Sequence, residues 1–140
     1  MSTVLWANVL IAGRVKSEQA DYEALYRHAE KLDALAAGLD LPSFGAICDT
    51  TDEQINLGVR HLPAGVGSSD ELMVLEGSWL PMEDALTLFT TLREHIVAAN
   101  VRFGLLSNQQ EQVVDELDAV LAFVRAETPH AEQFNFSVVS

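Results

Sequence analysis

The chain has 140 residues, the length of one domain, and a chain this long buries about 68% of its unfolded surface on folding. Hydrophobic residues make up 49% and charged residues 21%, which is too apolar for a disordered chain. The 21 acids and 8 bases leave a formal net charge of −13, which repels phosphate backbones and anionic lipid, so neither nucleic-acid binding nor membrane docking is expected.

The apolar run 4–12 closes on Gly13 and reads as a central strand over 3–12, buried on both faces. A strand is expected rather than a signal segment, because no basic residue precedes Arg14 and Asn8 interrupts the run, which is far too short to span a bilayer. Ser17 then caps a helix over 18–37, with Tyr22, Leu25, Ala29, Leu32 and Ala36 as its apolar stripe, Glu23 and Arg27 as an i,i+4 pair, and Gly38 as its end. The stretch 43–80 is harder to read. Segments 44–48 and 54–60 have strand character, the second through alternation of Ile55, Leu57 and Val59. Ser68 and Glu71 have capping-box spacing for a short helix at 69–75, yet Leu72 to Leu75 fit a strand equally well. Pro81, Glu83 and Asp84 open a helix over 81–99, with Ala85, Leu86, Phe89, Leu92 and Ile96 inward and Asn100 as its stop. Ser107 and Gln110 form a second capping box for a helix over 108–127, with Val113, Val114, Leu117, Val120, Leu121 and Val124 inward. Phe134, Phe136 and Val138 alternate with polar neighbours in a closing strand over 134–139. The expected fold is one α+β domain over 1–140, about three amphipathic helices on a small mixed or antiparallel sheet.

No motif carries a complete chemistry. His28-Ala29-Glu30 has the H-x-E of zinc deaminases, but the single Cys48 cannot supply their two thiolates. His61, His95 and His130 have no partner at metal-binding helical spacing. The acidic turn from Asp49 to Glu53 fails the calcium-loop pattern, with Gln54 and Arg60 where glycine and glutamate are needed. The glycine-rich 65–69 has no Walker lysine, and no G-x-S-x-G elbow exists. No catalytic residue, metal or cofactor is therefore expected. One cysteine also excludes an intrachain disulfide and fits a reducing, cytoplasmic setting, and Cys48 has no nearby cation to activate it.

From Asp49 to Asp84, eight acids stand against one base, Arg60, a local net of −7 within the total of −13. The same stretch holds a Pro/Gly/Ser loop and Trp79, a rigid aromatic of the kind that anchors interfaces. These features point to an interaction domain of inhibitor, immunity or adaptor type that binds a basic protein partner. Its candidate contacts are Asp49, Asp52, Glu53, Asp70, Glu71, Glu76 and Trp79. The alternatives are a structural homo-oligomer, and a ligand-binding domain or enzyme whose site is assembled from distant segments.

Overall fold

The apolar run near the start of the chain forms β1 (Val4–Ile11), which the computed structural model, describing residues 2–140, seats between two other strands. Ala12 and Gly13 take left-handed φ values of +50° and +77°, the two-residue geometry that matches strand twist, and return the chain into β2 (Arg14–Ser17). Ser17 therefore ends a strand and caps no helix. Its hydroxyl donates to Asn8 Oδ1 at 2.6 Å.

The expected helix over 18–37 is two helices, α1 (Glu23–Arg27) and α2 (Ala29–Gly38), broken at His28 with φ −108°. The His28 ring is engaged away from the helix, 2.6 Å from Gln109 Oε1 and edge-on to the buried Phe103. The Glu23–Arg27 pair forms at 2.6 Å. Asp40, at φ +55°, supplies the left-handed turn in place of Gly38.

Neither strand expected at 44–48 and 54–60 forms as such. A 3-10 turn, Gly45–Ile47, leads into the two-residue β3 (Cys48–Asp49), and α3 (Thr51–Asn56) follows at once. Asp49 Oδ1 accepts the Thr51 N–H at 2.9 Å, which turns the chain into a helix. Leu57 and Val59 are exposed, so their alternation marks no sheet face. The segment after the loop is helical, α4 (Ser69–Glu76). Ser68 Oγ accepts the Glu71 N–H, and the Glu71 carboxylate accepts the Gly67 N–H at 2.8 Å.

The last third follows its apolar stripes. β4 (Leu80–Pro81) precedes α5 (Met82–Ala98), which ends before a left-handed Asn100, and α6 (Gln110–Glu127) precedes β5 (Gln133–Val139). The side chain organising the start of α6 is Asn108 and not Ser107. Its Oδ1 accepts the N–H groups of Phe103 and Gln110, both at 3.0 Å.

The five-strand sheet runs β2-β1-β5-β3, with β4 also on the far side of β5, and only the short β3–β5 pairing is parallel. Register Leu5↔Val138, Ala7↔Phe136 and Val9↔Phe134 gives one face an apolar set. The stripes of α1, α2, α5 and α6 close over it. The Phe89 ring centroid lies 5.2 Å from Phe134 and 5.7 Å from Phe136, edge-to-face contacts worth about 1 kcal/mol each beyond the area they bury. The protein is thus a small α+β domain on a mixed sheet, with six helices among the described residues where about three are legible in the sequence.

Candidate interaction site

The opposite face of the sheet carries a polar patch between the apolar Val4 and Leu10 of β1. Alternation brings Asn8, Asn135, Ser137 and Ser17 together there, the first three buried. Asn8 Nδ2 donates to Asn135 Oδ1 at 3.0 Å and to Ser137 Oγ at 2.8 Å, and Asn135 Nδ2 donates to the Ser78 carbonyl at 3.1 Å. Among the described residues no buried side-chain nitrogen or oxygen lacks a partner. Met73, on the inner side of α4, closes this face with its sulfur 3.4 Å from Ser137 Oγ. The ladder spans three strands and fixes how α4 sits.

Beside this floor, α4 and the β1–β2 hairpin diverge into a cleft of about 540 Å³ lined by Gly13, Arg14, Val15, Asp70, Glu71, Val74 and Leu75. Its wall is aliphatic through Val15, Val74 and Leu75, and its acids stand on the first turn of α4. Burial, and then the neighbouring Asp52 carboxylate, push the Asp70 carboxyl above the usual range, so an incoming cation would relieve it. Arg14 forms no ion pair among the described residues.

β2 is also a sheet edge. Its two-residue turn makes Ile11 and Arg14 a hydrogen-bonded pair, and the Glu18 N–H reaches the Ala7 carbonyl at 2.9 Å. By alternation the N–H and C=O groups of Val15 and Ser17 point away from β1. Among the described residues no backbone group pairs with their N–H groups there. A free strand edge therefore runs along the cleft.

Of the residues expected to meet a partner, Asp70 and Glu71 line the cleft, whereas the other five are tied into the fold. Asp49 is buried and holds the Thr51 and Ser78 N–H groups. Asp52 accepts from Ser69 Oγ at 2.7 Å and Asn56 Nδ2 at 3.0 Å, and Glu53 accepts from Ser140 Oγ at 2.6 Å. Glu76 pairs with Arg60, and the half-buried Trp79 donates to the Met73 carbonyl at 3.0 Å. Sequence reasoning missed Val15, Val74 and Leu75. The hairpin signal, a small residue and Gly13 between an apolar run and Val15, was the available clue.

The other chemistry-bearing groups stay apart. Cys48 donates to the Phe44 carbonyl, and burial, aided by Asp33, pushes its thiol up to about 12. Tyr22 is buried against Phe136 with its hydroxyl on Glu18, which raises it far above the ordinary phenol range. Glu116 accepts the Ala24 and Leu25 N–H groups at the start of α1. Burial outweighs those bonds and raises its carboxyl. Among the described residues no three His, Cys, Asp or Glu side chains converge as a metal site requires, and no helix is long and apolar enough to cross a membrane. The chain matches no protein-family model, no curated protein and no solved structure.

Proposed function

We propose that the protein is an interaction domain that takes an extended segment of a basic protein partner along the free edge of β2. The observation that carries this reading is the coincidence of an open strand edge, an aliphatic wall and two carboxylates in one cleft. An added strand gains main-chain hydrogen bonds from Val15 and Ser17, while its alternate side chains meet Val74 and Leu75 or the carboxylates of Asp70 and Glu71. The total of −13 would steer such a partner from a distance. A cytoplasmic setting is supported by the single, inert Cys48, which needs no oxidising compartment.

The test uses an alternating lysine–valine hexapeptide, titrated by calorimetry. Saturable binding that weakens steeply from about 0.05 to 0.5 M salt is expected. Val15→Pro removes an outward N–H without costing a ladder bond to β1, and should weaken binding at least tenfold. Asp70→Lys with Glu71→Lys should slow association. Binding indifferent to salt and to both variants would sink the proposal.

A further inference from the structure

Among the described residues Leu105 and Leu106 are the most exposed large hydrophobic side chains, at 96% and 103% of full accessibility. The loop that carries them is tightly built. The Arg102 guanidinium donates to the Gly104 carbonyl at 2.9 Å and to the Leu105 carbonyl at 3.1 Å. Phe103 is buried beneath, with the Lys31 ammonium 5.3 Å from its ring centroid and donating to the Arg102 carbonyl. Gly104, at φ +104°, makes a turn that a side chain would block, because a Cβ there would stand 2.5 Å from the Ser107 carbonyl oxygen. Two leucines are thus held in water on an ordered knob, where they add nothing to the core.

The base of the knob is cationic. Neither Lys31 nor Arg102 pairs with a carboxylate among the described residues, so the foot of the loop, where both bond its carbonyls, keeps two uncompensated positive charges. The α4 wall of the cleft has the complementary character, Val74 and a 70%-exposed Leu75 with Asp70 and Glu71. It faces Val15 and Arg14 of β2, the arginine without an ion pair among the described residues. The two features lie at opposite ends of the protein. The Lys16–Glu127 pair ties β2 to the last turn of α6, whereas the knob precedes the first, and the 18 residues of α6 span about 27 Å. No chain can therefore fill its own cleft.

We propose that the Leu105–Leu106 knob of one copy docks in the β2–α4 cleft of a second copy, joining chains head to tail. The inference rests on reading the cleft as a docking site, but replaces the extended basic segment by the cationic foot and two leucines of a second copy's knob. The contact is heterologous, so each assembly keeps one free knob and one free cleft at its two ends unless a ring closes. Its small area places it among weak interfaces. At about 0.15 M salt the Debye length is about 8 Å, which screens the repulsion between two acidic bodies more than the attraction of charges in contact.

The experiment is sedimentation equilibrium at about 0.15 M salt, from roughly 20 μM to 1 mM, on the wild type and two variants. Leu105→Asp with Leu106→Asp destroys the knob, and Asp70→Lys with Leu75→Asp destroys the cleft. All four positions are exposed, and thermal melts confirm that both variants fold. The wild-type mass should climb above the 15.3 kDa of one chain as concentration rises, while each variant alone stays monomeric. An equimolar mixture of the two retains one good knob and one good cleft, and should give a dimer and nothing larger. A monomeric wild type at 1 mM overturns the proposal, as does a mixture that fails to pair while the wild type associates. If the hexapeptide still binds in either case, only the second copy is excluded; if it also fails to bind, the cleft reading falls with it.

Discussion

Removing the Asn8 carboxamide tests whether the polar ladder beneath α4 is held as a unit. Asn8→Ala deletes bonds of 3.0 Å to Asn135, 2.8 Å to Ser137 and 2.6 Å from Ser17. Asn135 Oδ1 then has no remaining partner. Ser137 keeps only its contact with the Met73 sulfur, and the half-buried Ser17 can turn to water. A buried group left without a partner costs about 1–3 kcal/mol, and with Asn135 Oδ1 stranded, Ser137 reduced to a weak sulfur contact, and the void, the loss should be about 3–5 kcal/mol. Asn8→Asp keeps the volume but turns a donor into an acceptor facing Asn135 Oδ1, so it should cost at least as much. Asn135 cannot flip in compensation without losing its bond to the Ser78 carbonyl. Replacing the ladder by Asn8→Val, Asn135→Val and Ser137→Ala removes the buried partners together, leaves only the Ser17 hydroxyl and the carbonyl of the exposed Ser78 to water, and should lie within about 1.5 kcal/mol of the wild type. Equilibrium urea unfolding measures all three. An Asn8→Ala loss below about 1 kcal/mol, or a triple variant less stable than the single one, would refute the reasoning.

Gly77→Ala should destabilise by roughly 2–4 kcal/mol, because its Cβ would enter the Met73 carbonyl and stand 2.8 Å from Asp49 Oδ2; a thermal melt within 2 °C of the wild type would contradict this. Ala12→Asn should stabilise by about 0.5–1 kcal/mol, since asparagine tolerates the φ of +50° at the first turn position better than alanine; urea unfolding decides it by an upward or downward midpoint shift. Asp33 holds the Gly45 N–H at 3.0 Å and the Ser43 hydroxyl at 2.7 Å, bonds that lower its carboxyl below the ordinary value of 3.8. Its contribution is therefore full well above the ordinary value and lost as pH falls through the lowered one, so Asp33→Asn should cost stability at pH 7 and progressively less as the solution is acidified, as acid titration followed by circular dichroism can show. Cys48, with its thiol pushed up to about 12, should resist a disulfide reagent at pH 8 in the folded protein and react at once in denaturant.

Elements with a long one-sided stripe were legible. α5 and α6 bury Phe89, Leu92, Val113 and Leu117 as their spacing demands, and β5 buries Phe134 and Phe136. The short elements were not. β3 is two residues held by pairing with Phe136 and Ser137, a tertiary cause with no local signature, and Ile55-Asn56-Leu57 alternates by accident at a helix end. Ser17 shows the same ambiguity, because a serine after an apolar run suits a helix cap and an edge strand alike. Of the cleft, only the acids stood out in the sequence. Val15 and Val74 are ordinary residues whose role comes from the angle between two elements far apart in the chain.

The pairing of β1 with β5 also sets the order in which the molecule can be built. Val4 meets Val139 and Leu10 meets Gln133, so the central pair of the sheet closes a loop containing every helix. Closing such a loop costs chain entropy before any ladder bond is returned, so folding should be slower than the helical content alone implies. On the ribosome the β1–β2 hairpin emerges before β5, so the inner edge of β1 stays unpaired until β5 is made. For that interval the nascent chain depends on its charge or on a chaperone to avoid aggregation.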